Sequence, residues 1–157
     1  PASPKEILLH LITEQTIAIA RPVEAVYQYA TNMERFGEWF PGVLSIASAN
    51  ALPHGQRGKE YLETVMVPLR GERQITLSVR DAQPNKLFVT EGAFAPLMPR
   101  MEITFRATSA ESCEVEWRMF SRNDGFLARF TLLPLTKSVM RKRAAIGVER
   151  LKQKLEN

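Results

Sequence analysis

The stretch RPVEAVYQYATNMERFGEWFPGV, residues 21–43, decides how the rest of the chain is read. Pro22 suits the first turn of a helix, where an N–H would have no intrahelical acceptor. Val23, Val26, Tyr27 and Ala30 follow at helical spacing, and Asn32 and Gly37 interrupt the pattern. A second short helix is therefore expected over Met33 to Trp39, ended by Pro41-Gly42. Within fourteen residues the segment carries Tyr27, Tyr29, Phe36, Trp39 and Phe40. Such rings either bury area in a solid core or close one end of a hollow, and the residues leave both readings open.

On either side of this segment, up to about residue 122, the apolar period is two. Before it, the alternation of Ile7, Leu9, Leu11, Thr13, Gln15, Ile17 and Ile19 predicts a strand from about 7 to 20. After it, strands are expected at about 43–50, 58–69, 72–82, 86–95, 99–109 and 112–122. They are separated by PHGQRG, Arg70-Gly71, AQPN, APLMP and SAES. Turns this short imply an antiparallel meander. In three strands one face is plainly apolar: Ile75, Leu77, Val79; Met101, Ile103, Phe105; and Val115, Trp117, Met119. The alternates between them are polar or charged, the pattern of a sheet with one wet face. In strands 58–69 and 86–95 both alternates contain apolar residues, so their inward faces stay undecided.

The last thirty residues return to helical spacing. Phe126, Phe130, Leu133, Met140, Ala144, Gly147, Val148, Leu151 and Leu155 form one stripe, with a kink or restart expected at Pro134. Residues 121–157 hold nine Lys/Arg against three Asp/Glu. This segment is thus +6 in a chain of net charge +4, and the remainder is −2. A basic helix is usually a solvated face, although it can also meet phosphates on RNA or an anionic membrane surface. DNA binding is not expected.

The 157 residues, 45% apolar and 24% charged, fit one soluble domain over residues 1–157, with no apolar run near the roughly 18 residues that span a bilayer. The single cysteine, Cys113, has no intramolecular disulfide partner, and no signal-peptide pattern opens the chain, so a cytoplasmic setting is expected. His10, His54, Cys113, Asp81 and Asp124 do not cluster at ligand spacing, and no metal site is expected. No nucleophile elbow or phosphate-cradling glycine loop is present. No cofactor is called for.

The order of one strand, two short helices, six strands and one long helix, together with IAIARPVEAVYQYATNMERFGEWFPGV (17–43) and the closing VERLKQKLE (148–156), resembles the SRPBCC superfamily. That superfamily is also called START-like or birch-pollen-allergen-like. Within it the chain is most similar to the polyketide cyclase/dehydrase and lipid-transport group. Arg21-Pro22 stands where that group usually has Ala-Pro, and Asn32 stands where Asp is common. The resemblance implies an α+β helix-grip fold, in which a curved seven-stranded antiparallel sheet wraps the long C-terminal helix and leaves a cavity between them.

Three functions follow from that resemblance and the residues. The first is a carrier of an apolar or amphipathic small molecule, such as a lipid, isoprenoid or polyketide-like ring system. The second is a cofactor-independent polyketide cyclase, aromatase or dehydratase-like enzyme, and the third an interaction module using the basic helix. Candidate ligand contacts are Tyr61, Glu63, Leu77, Phe88, Met101, Phe105, Trp117, Met119, Phe130, Lys137 and Met140. The methionines among them adapt to varied apolar ligands. Glu63 alternates with Tyr61, Val65 and Val67, and Glu91 with Leu87 and Val89. Either glutamate is a candidate acid or base, because an apolar surrounding disfavours the ionised carboxylate.

Overall fold

The computed structural model describes residues 9–123, 125 and 133–157, with Leu133 as backbone only. β1 (His10–Ile19) leads into α1 (Val23–Thr31) and a 3-10 helix (Met33–Glu38). There follow β2 (Val43–Ser48), β3 (Glu60–Val67), β4 (Gly71–Gln83), β5 (Leu87–Ala93), β6 (Pro99–Ser109), β7 (Ser112–Ser121) and α2 (Leu133–Glu156). All pairings are antiparallel, in the spatial order β1-β7-β6-β5-β4-β3-β2. The strands after α1 lie within two residues of the expected ranges at each end. Residues 7 and 8 of the expected first strand, and Phe126 and Phe130 of the expected helical stripe, lie outside the described residues.

The apolar face of the sheet is the one the clean alternations mark, with Ile75, Leu77, Val79, Ile103, Phe105, Val115 and Trp117 all buried. The two ambiguous strands are also settled. In β3, Tyr61 and Glu63 are buried while Leu62 and Met66 are exposed. In β5, Phe88, Thr90 and Gly92 point inward. A Cβ on Gly92 would lie 3.0 Å from Pro99 and 3.2 Å from Ile75, so this site has room for hydrogen alone. β1 departs from simple alternation. A register irregularity between Leu11 and Thr13 buries both Ile12 and Thr13 and turns Leu9 and Leu11 outward.

α2 packs along β1 and is tied at its C-terminal end. Lys152 Nζ donates to the Ala18 carbonyl (2.8 Å), Ala20 N–H donates to Glu156 (2.9 Å), and Arg21 donates to the Leu155 carbonyl (2.7 Å). Further toward its start, Arg143 Nη2 donates to the Met66 carbonyl of β3 (3.0 Å). The helix thus reaches from one edge region of the sheet to the other. Pro134 falls in the first turn of α2, where its absent N–H breaks no helical bond.

The aromatic segment divides its rings among three tasks. Tyr27 meets Phe105 edge-on at 5.0 Å inside the core. Tyr29 is a surface strut, its hydroxyl donating to Glu38 (3.0 Å) with the Arg35 guanidinium over the ring. Phe36 stacks on Phe40, and Phe40 stacks on Trp117 of β7 at 5.1 Å, so these rings anchor the 3-10 helix to the sheet.

Candidate functional site

The concave side of the sheet is not filled uniformly. Toward β1, β6 and β7 the buried side chains of α1, the 3-10 helix and the C-terminal half of α2 close it with solid core. Toward β3, β4 and β5 a hollow of about 200 Å³ remains. Phe36 and Phe40 form one wall of this hollow, Ile75, Leu77 and Thr90 the sheet floor, and Val139 and Met140 the roof from α2. Met101 and Met119, cross-strand partners on β6 and β7, stand where hollow gives way to core. The rings of the aromatic segment therefore divide between wall and core. Phe36 and Phe40 belong to the cavity wall, and Trp39, fully buried, lies in the core behind it.

Among the described residues, Glu63 is the acidic group of the lining. Its residue is 8% exposed, it projects from β3 into the hollow, and its carboxyl has no hydrogen-bond or ion-pair partner among the described residues. Burial alone pushes its pKa from 4.5 to about 7, since the apolar surround penalises the charged form. Near neutral pH this group can donate or accept a proton. Arg143 of α2 also lines the hollow, half-buried, and burial lowers its pKa. From sequence, Arg143 counts only as one of the charges of the basic helix, beside Arg141 and Lys142. The missed signal was its place three residues after Met140 and four before Gly147, on the apolar stripe of the helix.

Five of the expected contacts share the cavity: Glu63, Leu77, Met101, Met119 and Met140. Four others are core. Tyr61 is fully buried behind the lining, and its hydroxyl is 2.6 Å from His54 Nδ1; burial pushes its pKa to about 12. Phe88 is enclosed, Phe105 packs on Tyr27, and Trp117 packs on Phe40. Apolar neighbours crowd these positions, so their rings fill space that sequence alternation alone marks as inward. Lys137 is exposed on α2 and does not line the hollow. Its long stem lets the ammonium stay in water. Phe130 lies outside the described residues.

Glu91 is turned to the outer face. Phe88, Thr90 and Gly92 take the inward positions of β5, which leaves Glu91 with Arg100 (2.9 Å), Arg80 (3.1 Å) and Arg122 (3.6 Å). Held by three guanidinium groups on the outer face, Glu91 is not among the residues lining the hollow. No group of three or more His, Cys, Asp or Glu suited to a metal occurs among the described residues. Nor is any helix among them long and apolar enough to cross a membrane.

The family model described as polyketide cyclase/dehydrase and lipid transport matches residues 10–156. No curated protein sequence gives a match. Among solved structures, a START superfamily protein from Mycobacterium smegmatis superposes with a TM-score of 0.74 at 11% identity, covering 94% of this chain and 97% of that one. The Zhui aromatase/cyclase from a Streptomyces species gives 0.71 at 14% identity, covering 95% and 94%. Ara h 8.0201 gives 0.70 at 10% identity, covering 94% and 98%. At such identities the likeness is one of fold, and that fold is the helix grip.

Proposed function

The chain belongs to the polyketide cyclase/dehydrase and lipid-transport family, and on that premise we propose that it binds an apolar or amphipathic small molecule between the sheet and α2. Lipids, isoprenoids and polyketide-like ring systems are the candidate classes. The observation that carries this reading is the unpartnered Glu63 carboxyl in an apolar hollow. A carboxyl facing an apolar hollow without a protein partner is poorly solvated there, and a ligand hydroxyl or carbonyl that hydrogen-bonds to it compensates for that. The hollow, at about 200 Å³, lies below the roughly 300–1,000 Å³ of drug-sized sites. It therefore suits a short chain or a few rings, with Met101, Met119 and Met140 able to yield to something larger. The proposal includes a single domain in a reducing, cytoplasmic setting, in keeping with Cys113 being free and buried.

Native mass spectrometry of the purified protein, followed by denaturing extraction, tests the proposal. A discrete apolar adduct supports it. Failure to bind any of a panel of short-chain and ring-containing apolar compounds overturns it.

Cyclase chemistry is the second reading, favoured by Glu63 titrating near pH 7, where a carboxyl both takes and returns protons. Under this reading a poly-β-carbonyl chain lies in the hollow and Glu63 moves a proton at a carbon next to a carbonyl. Glu63→Gln then lowers turnover more than substrate affinity; equal losses in both favour the carrier. The interaction-module reading uses the basic run Arg141-Lys142-Arg143, of which Arg141 and Lys142 are exposed on α2 and Arg143 is half-buried at the hollow. Arg141→Glu with Lys142→Glu leaves capture of an apolar probe unchanged under the cavity reading. Steeply salt-dependent binding to RNA or anionic vesicles that this double variant abolishes would instead favour the module.

A further inference from the structure

We infer that the ligand of this cavity is a small amphiphilic acid, with its apolar body in the hollow and its carboxylate on the Arg143 guanidinium at the rim. The inference rests on the cavity reading above and adds the charge of the ligand to it.

Four observations lead to it. Arg143 is held in place by the fold: Nη2 donates to the Met66 carbonyl at 3.0 Å. The guanidinium also lies so close over Gly42 that a Cβ there would be 2.5 Å from its Cζ. Gly42 has φ +85, so the Pro41-Gly42 turn needs glycine for its backbone and its lack of a side chain makes room for the cation. Second, the partner supplied is a neutral carbonyl. No carboxylate of the described residues comes within ion-pair distance of Arg143, although arginines on the outer sheet face pair repeatedly. An arginine with a flexible stem ordinarily carries its charge out to water. Here the charge is kept at the cavity wall.

Third, the charges facing the hollow do not cancel. Among the described residues of its lining, Arg70 and Arg143 are the cations and Glu63 the one carboxyl. Glu63 forms no ion pair with Arg143, and burial raises its pKa to about 7, which disfavours its charged form. Fourth, the rest of the wall is mostly apolar, with Thr90, Ser121 and Thr136 as its hydroxyl groups, and it includes Met66 and the half-exposed Leu135. An apolar interior ending in a fixed, partly desolvated cation matches a molecule with a hydrocarbon body and one anionic end. A planar guanidinium takes a carboxylate through two parallel N–H donors.

Octanoate and octanol test this, since they share a hydrocarbon body and differ in charge. Calorimetric titration at about pH 6 keeps the octanoate ionised and Glu63 mainly protonated. The expected affinity ratio of acid to alcohol in the wild-type protein is at least ~10, as for other hydrogen bonds to a charged group. In Arg143→Met and in Arg143→Gln the ratio falls to about 1. The two variants differ in polarity at the same position but both remove the charge, so the acid-to-alcohol ratio, and not the affinity for either probe alone, reports the loss of the cation. If Arg143 only pins α2 to β3, the variants weaken both probes together and keep the ratio, which overturns the inference. A wild-type ratio near 1 overturns it too while leaving the cavity reading intact. Binding of neither probe counts against both.

Discussion

Two glutamates of similar sequence context, Glu63 and Glu91, show how far apart a residue's surroundings can drive the same chemical group. Both alternate with apolar neighbours along a strand, yet Glu91 holds three arginines on the outer face and Glu63 has no partner in the hollow. The difference has a pH signature. The folded-state pKa of Glu63 is raised from 4.5 to about 7, so the folded protein binds the proton more tightly than the unfolded chain does. The contribution of Glu63 to stability is fully present below about pH 4.5 and is lost as pH rises through about 7. The full loss is on the order of 3 kcal/mol. Glu63→Gln carries no such proton. Urea unfolding at about pH 5 and pH 8 should show the variant gaining on the wild type by a few kcal/mol across that interval. Parallel pH trends in the two proteins would remove Glu63 from its buried, unpaired setting.

At the scale of elements, the contact between α2 and the aromatic segment is the tightest test of the packing. Gly147 faces Phe40, and a Cβ there would lie 2.9 Å from the ring and 3.6 Å from the Trp39 carbonyl. The ring has little freedom to retreat, because Phe36 stacks on it at 4.9 Å and Trp117 at 5.1 Å. Gly147→Ala raises intrinsic helix propensity by about 1 kcal/mol, but overpacking of this kind costs about 1–3 kcal/mol. The expected net result is destabilisation of up to ~2 kcal/mol, read as a lower urea midpoint. A higher midpoint would mean that α2 does not press on Phe40. The same packing revises the expectation for Trp117, which the alternation of β7 put beside the ligand. Trp117 is wholly buried against Phe40, so Trp117→Ala should cost roughly 3–5 kcal/mol of stability through cavity formation, whatever it does to ligand binding.

Across the whole molecule, the division between solid and hollow halves is what gives the fold a binding capacity. Met119 stands at that boundary, half-buried and opposite Met101. Met119→Trp extends a rigid ring into the open space and should weaken capture of a neutral apolar dye by ~10-fold or more, with the urea midpoint little changed. Undiminished dye binding in a folded variant would place the dye elsewhere. The architecture behind this was legible early. Strand order, short helices and the closing helix follow from periods of 2 and 3.6 punctuated by Gly, Pro and Asn, because those periods are local properties of the backbone. The apolar faces of β4, β6 and β7 were legible for the same reason, and with them Leu77, Met101 and Met119 as inward positions. The face of β5 was not, since Leu87 and Val89 on one side looked as apolar as Phe88 and Thr90 on the other; cross-strand arginines and the crowding at Gly92 decided it. Which inward residues fill the core and which leave a void was likewise undecided, and so was the separation of Arg143 from the run Arg141-Lys142. Sequence by itself determined the elements, their order and the family, because these depend on neighbours along the chain. Only the tertiary structure decided the hollow, the lone carboxyl and the fixed cation, because space left unfilled and charge left unpaired are relations among residues far apart in sequence.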